Sequence, residues 1–309
     1  MEVLYNKLSF SKLILILFLV AFINLNAQDI EPRRWAPMPL GTQAIGMGYG
    51  YTSGKIYFDP LLQAENVTTD IHGIATVYIQ PFRIGNKLAR IDVLLPYANA
   101  RWDGLLSSEP TTKTRSGFAD PRIRFSVNLI GPSAMGPKEM MEYMKEHPVN
   151  TLFGASVAVT FPLGKYDETK LLNIGQNRFV IRPQIGMVHN WGLWSYELSG
   201  SLFIYTNNNK FYNDQVKKQD PVFAFQTHII RRFNNRMWLS ASAGYGLGGR
   251  SIVNSQPNDD LRGDFLWSLS YGLPITKTQA IKFVFLRSVT SKDVGADTNT
   301  LGMSWSKIL

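Results

Sequence analysis

The 309-residue sequence has no cysteine. That excludes a disulfide framework, a thiolate metal site and a lipid-modified N-terminal cysteine. Charge is sparse too: 18% of residues are charged, against about 25% in soluble domains. Only four histidines occur, His72, His147, His189 and His228. None has metal-ligand spacing, so neither a metal nor a cofactor is expected. Beyond residues 1–27 there is no stretch of 18 apolar residues, so no later helix is expected to span a membrane. The net charge of +9 is spread along the chain rather than gathered on one face. Nucleic acid is therefore not an expected partner.

Aromatic residues, by contrast, make up 12% of the chain, while the mean hydropathy is only −0.09. Strands that alternate apolar and polar residues average to nearly zero while keeping one strongly apolar face. The N-terminus reads as a secretory signal peptide over 1–27, with Lys7 and Lys12 ahead of the apolar run Leu13–Leu25 and Ala27 at the cut. Residues 28–41 are then expected to be a periplasmic N-terminal segment.

From about Thr42 onward, period-two alternation recurs. Ile45, Met47, Tyr49 and Tyr51 alternate with glycines. Ile123, Phe125, Val127 and Leu129 alternate with Arg122, Arg124, Ser126 and Asn128. Phe153, Ala155, Val157 and Val159 alternate with small residues. Segments near 70–81, 89–97, 178–187, 194–205, 221–231, 236–247, 261–273, 279–287 and 298–309 continue the pattern, giving twelve in all. Each has about the 9–11 residues that a tilted strand needs to cross a bilayer. The segment 70–81 is the least regular.

The connections agree. Arg83–Lys87, Asn190–Leu193, Arg232–Asn235 and Pro274–Thr278 are short, as periplasmic turns are. The connections 53–69, 98–117, 163–177, 206–220, 248–260 and 288–297 are longer, as outer loops are. One periplasmic link, 131–149, holds a predicted helix over Lys138–His147 with Met140, Met141 and Met144 in helical spacing. The expected fold is all-β: a transmembrane antiparallel up-and-down β-barrel of about twelve strands over 42–309, with a short periplasmic helix near 138–147. A soluble β-sandwich also alternates, but it seldom needs so many arginines in phase on one strand face.

Several runs carry a family resemblance: Pro39–Leu40–Gly41, Gly48–Tyr49–Gly50–Tyr51, Phe58–Asp59–Pro60, Arg90 through Asp92 to Pro96–Tyr97, and above all Gly117–Phe118–Ala119–Asp120–Pro121–Arg122. With them the chain resembles the outer-membrane proteins of the meta-pathway of phenol degradation family, the phenol MetA-type transporter-like barrels. The resemblance implies localisation in the bacterial outer membrane and uptake of aromatic compounds. One departure is the C-terminus, Trp305-Ser306-Lys307-Ile308-Leu309, which lacks the terminal aromatic common in such barrels.

Strand parity assigns an inward set. Lumen-lining or substrate-path candidates are Arg90, Asp92, Asp120, Arg122, Arg124, Arg178, Arg182, Glu197, His228, Arg262, Asp264 and Lys282. These charges serve either a polar constriction that selects solutes or a ladder of pairs that fills a narrow barrel. A hairpin centred near residue 213 would set His228 opposite Ser199, the pair a hydrolase would use, but no third residue orients it and no catalytic residue is assigned. Asp120-Pro121 suggests either a loop that narrows the entrance or ordinary turn chemistry.

The expected function is a non-enzymatic outer-membrane channel for passive uptake of small molecules, aromatic or hydrophobic compounds among them. A closed structural or surface-interaction barrel without transport is the alternative, and a membrane-embedded hydrolase is third. Expected partners are outer-membrane lipid, a small-molecule solute and the barrel assembly machinery.

Overall fold

The computed structural model describes residues 30–58, 64–106 and 108–309. The expected signal peptide lies outside the described residues. In chain order the elements are β1 (Ala44–Tyr57), β2 (Ala64–Ile84), β3 (Lys87–Leu106), β4 (Glu109–Phe118), β5 (Arg122–Ile130), α1 (Pro137–Glu146), β6 (Val149–Thr160), β7 (Val180–Trp191) and β8 (Trp194–Tyr205). Then follow β9 (Asn208–Phe211), β10 (Gln215–Gln219), β11 (Val222–Arg232), β12 (Trp238–Gly248), β13 (Ser251–Val253), β14 (Gln256–Pro257), β15 (Arg262–Pro274), β16 (Gln279–Thr290) and β17 (Gly295–Ile308).

Twelve antiparallel staves close on themselves. β17 pairs with β1, β1 with β2, β2 with β3 and β3 with β5, so the ring of staves is closed; among the described wall strands only β4, in the outer extension, pairs on one side alone. β4 and β5 together form one stave: β4 pairs with the outer half of β3 and β5 with its inner half. The break between them is Ala119–Asp120–Pro121. Proline has no N–H for the ladder, so it fits an interruption.

Lipid dictates the outer face. Phe125 and Val157 are 39% and 45% exposed, while their neighbours Arg124 and Ser156 are both 5% exposed. Apolar residues out and charged or small residues in is the order required when the exterior is hydrocarbon and the interior is wet. Among the described residues no helix is long and apolar enough to cross a membrane; strands do the crossing.

The short turns lie at one end. Gly85–Asn86 and Gly192–Leu193 are two-residue turns, with φ near +55° at each glycine, a region where a side chain would be strained. At this end α1 caps the barrel base. Glu139 accepts the Gly136 N–H at 2.6 Å, closing the first turn. Met140 and Met144 pack with Leu88, Ala134 and Leu40, whereas Met141 faces out.

Three expected outer loops are instead ordered strand. Residues 98–117 form the outer half of β3 and most of β4. The stretches 206–220 and 248–260 each hold a short hairpin, and these join as a four-stranded sheet in the order β14-β13-β10-β9. The expected connection 288–297 shrinks to four residues between β16 and β17. The reason is an inversion of environment. Beyond the bilayer, Ala100 and Trp102 are buried, while Arg101 and Asp103 point out and pair at 2.7 Å. There the exterior is water, so polar residues face out and the alternation no longer marks a lipid face.

Candidate functional site

Of the segment 28–41 expected in the periplasm, residues 31–35 lie inside the barrel, while Leu40 stays at its base beside α1. Residues 32–35 form a tight turn, with Arg33 at φ 65°. That turn aims the backbone N–H groups of Arg33 and Trp35 at the carboxylate of Glu197 on β8. Successive N–H groups in such a turn form a concavity that suits an anion. The Arg33 guanidinium lies over Trp238, 5.2 Å from the ring centroid. Trp35 is 4% exposed and packs with Leu152 and Val188. Its ring rests on Gly154 and Gly186: a Cβ there would stand 2.5 and 2.1 Å from it. Only glycine leaves that seat open.

Charges on the wall grip the same segment. Glu31 takes a two-pronged bond from Arg124, at 2.5 and 2.6 Å, and a third contact from Arg122 at 3.3 Å. Arg34 hydrogen-bonds Ser126 and lies 3.6 Å from Asp92. Arg90 pairs with Asp92 at 2.8 Å and donates to the Arg34 carbonyl at 3.2 Å. Burial alone would raise the Glu31 pKa, but Arg124 and Arg122 overcome it and hold the carboxyl well below the usual carboxylate range.

The other inward candidates fall into three groups. Arg178, Arg182 and Arg262 lie above the plug, toward the outer loops; Arg262 pairs with Asp264 at 3.6 Å. Lys282 lies on the opposite wall, within electrostatic reach of Glu31. Asp120 sits at the stave break and binds a loop: its carboxylate accepts the N–H groups of Gly164 at 2.9 Å and Gln176 at 2.7 Å. It thereby folds the outer connection after β6 over the barrel rim.

His228 is buried, but opposite Glu197; Ser199 lies opposite Gln226. The expected Ser199–His228 facing is therefore off by one same-face step. Ser199 instead meets the Gln184 amide at 3.5 Å. His72 bonds Tyr49 and His189 bonds Thr151 on the outer face, and His147 ends α1. Among the described residues no group of His, Asp and Glu could hold a metal.

Glu31, Arg33, Arg34 and Trp35 were not singled out from the sequence. Their partners on the wall lie 91 or more residues away for Glu31 with Arg122 and Arg124 and for Arg34 with Ser126; only the Glu31–Arg34 contact at 3.7 Å is local. The one hint in the sequence is Glu31-Pro32-Arg33-Arg34-Trp35 itself, a dense charged and aromatic run shortly after the expected secretion signal.

The plug divides the lumen. Above it is a cavity of about 240 Å³ reached by Arg122, Arg178, Arg182, Arg262, Phe203 and Tyr205. Below it is one of about 280 Å³ reached by Arg33, Glu197, Arg232, Met140 and Met144.

With this geometry in hand, comparisons with known proteins bear on it. A family model described as "Putative MetA-pathway of phenol degradation" matches residues 54–300. Among solved structures, the fold is similar to the COG4313 outer membrane channel from Pseudomonas putida F1, with a TM-score of 0.77 at 16% identity over 91% of this chain and 100% of that one. It is also similar to the transport unit of the autotransporter AIDA-I from Escherichia coli, with a TM-score of 0.50 at 10% identity over 91% of this chain and 92% of that one. No curated protein matched the sequence. The apolar outer belt, the closed wall and a match spanning most of the chain give one conclusion: this is a bacterial outer-membrane β-barrel that belongs to the phenol-degradation MetA-pathway family.

Proposed function

We propose that the protein is an outer-membrane channel for passive uptake of small molecules, aromatic or hydrophobic compounds among them, with its own N-terminal segment as stopper. The observation that carries this reading is the pair of lumen cavities on either side of the turn at 32–35. A barrel built only as a scaffold has no use for two chambers and a polar seat between them. The stopper is held by side-chain ion pairs, a few hydrogen bonds to wall side chains and one tryptophan, and it pairs with no stave of the wall, so it can leave without breaking the barrel. The COG4313 relative is itself named a channel, which agrees.

The test is solute flux into liposomes that carry the purified barrel, with and without residues 30–37. Slow flux for the full chain and faster flux after the deletion are expected. Equal flux in both would remove the stopper role. No flux in either would favour the closed, non-transporting barrel.

Hydrolase chemistry finds less support, because the nucleophile and base it would need face different partners across the β8–β11 pairing. Change of Ser199 or His228 is expected to leave flux intact.

A further inference from the structure

The two chambers differ in charge. The lower one mixes signs: Arg33 and Arg232 share it with Glu197. The upper one is lined by Arg122, Arg178, Arg182 and Arg262, and no Asp or Glu lines it among the described residues. The nearby carboxylates are engaged from behind. Glu31 is held by Arg124 and Arg122, and Asp264 by Arg262.

The cations do not sit in a purely polar setting. Arg182 lies over Phe203 at 4.6 Å and Arg178 over Tyr205 at 4.4 Å. Phe203 continues into a buried apolar cluster with Val180, Val222 and Leu266. The guanidinium planes and the rings therefore form one mixed surface.

Arg178 is the telling residue. It is 9% exposed. Its Nε donates to the Gln176 amide oxygen at 3.4 Å, and its Nη2 donates to the same oxygen at 3.3 Å and to that of Gln219 at 2.5 Å. Its Nη1 is buried with no hydrogen-bond partner. A buried cationic nitrogen without an acceptor is costly, and a bound anion would remove that cost.

We propose that the upper chamber is a binding site for small aromatic carboxylates, with the carboxylate on the arginines and the ring against Phe203 and Tyr205. Planar guanidinium matches a carboxylate in two-pronged fashion. A neutral phenol would leave the buried Arg178 Nη1 without an acceptor, and a bare inorganic anion would leave the apolar wall unused. The mixed-sign lower chamber would hold such an anion less tightly, so release toward the periplasm follows once the plug moves. This inference rests on the lumen being a solute path, yet binding to the upper chamber requires no passage.

The experiment is equilibrium titration of the intact barrel in detergent with three probes: benzoate, benzyl alcohol and inorganic phosphate. Benzoate is expected to bind at least about tenfold tighter than either of the others, the scale of a charge-assisted hydrogen bond. Arg178→Gln should weaken benzoate by about tenfold and leave benzyl alcohol nearly unchanged. No benzoate binding, or benzyl alcohol binding as tightly, would overturn the carboxylate site. Phosphate binding as tightly as benzoate would overturn the aromatic part. The three-probe comparison uses the unaltered protein, so it decides even where Arg178→Gln does not fold. Absence of flux alongside benzoate binding would refute the channel reading and leave the site standing.

Discussion

The arc from β5 to β8 and the arc of β17, β1 and β2 cross the same membrane with alike outer faces and unlike inner ones. Outside, Phe125 and Ile185 on the first arc correspond to Leu301 and Met303 on the second, all exposed. Inside, the first arc carries Arg122, Arg124, Arg182 and Glu197. The second carries Gly46, Gly48 and Gly50, with Gly73, Gly302 and Ser304 beside them. Lipid constrains one face of every stave in the same way. Nothing imposes uniformity on the lumen face, so its two halves diverge.

Glycine marks the divergence. On the charged arc, Gly154 and Gly186 are seats: a Cβ would strike Trp35. On the other arc, a Cβ at Gly50 would meet nothing nearer than 3.9 Å, and one at Gly302 nothing nearer than 3.7 Å. A glycine in a strand costs about 0.5–1 kcal/mol relative to alanine. On the first arc that cost is offset by the tryptophan it admits. On the second, Gly46 makes room for the inward Val77, while Gly50 and Gly302 admit no side chain and leave space. The charged arc holds the stopper, and the glycine arc leaves the room.

The outer faces supply the largest expected effect and check that the arcs differ only inside. Phe125→Arg and Leu301→Arg should each lower barrel stability by about 2–4 kcal/mol, the cost of a cation on the lipid face near the midplane. Ser156→Ala and Ser304→Ala, which change lumen-facing positions, should be near neutral. Urea titration of the folded fraction in detergent or lipid reads this. A barrel that tolerates arginine at 301 but not at 125 would show that the glycine arc is not lipid-covered.

The inner faces come next. Gly186→Ala overpacks the Trp35 seat, at about 1–3 kcal/mol. That should shift the plug toward release by about tenfold to hundredfold. Gly50→Ala, equal in volume, should leave it docked. Single-channel conductance separates them: the first should approach the plug deletion and the second should match the unaltered protein. Equal behaviour would mean that Trp35 is not what the charged arc is built to hold.

Much of the barrel is readable from sequence because lipid enforces period two. Arg122 through Leu129 and Phe153 through Val159 gave both strand and facing. β2 was least regular for a physical reason: Val77 and Ile79 face in while Ile74 and Tyr78 face out, so both faces are partly apolar. The outer half of β3 read as loop because water replaces lipid there and the phase of Ala100, Arg101 and Trp102 inverts. The inward charges were visible by parity, but their use was not. Arg124 and Asp92 answer Glu31 and Arg34, residues of a segment with no periodicity of its own. Likewise the Ser199–His228 facing failed by two residues because β9 and β10 interrupt the connection from β8 to β11. A hairpin midpoint inferred from length cannot resolve so small a shift.

The smallest expected effect tests the grip itself, through Glu31. Its docked pKa lies below the value it would have free in solution, about 4.3. The sign follows. Docking strength from this carboxylate is full above the free value and is lost as pH falls below it. Because the docked value is so low, the docked form stays ionised, and the loss comes from protonation of the released segment, at about 1.4 kcal/mol per pH unit. Conductance should therefore be flat from about pH 8 to 5 and rise below about pH 4. By pH 3.5 the plug should be weaker by about 1 kcal/mol. Asp92 is a second carboxylate in the grip, facing Arg34 and Arg90, so pH alone does not identify the group. Glu31→Gln does: it keeps the shape and removes the charge. It should raise conductance at neutral pH and flatten the acid rise. An unchanged acid rise in that variant would move the grip from Glu31 on Arg124 to Arg34 on Asp92, still on the charged side of the barrel. An acid rise that survives both Glu31→Gln and Asp92→Asn would take the plug's hold away from the charged arc altogether.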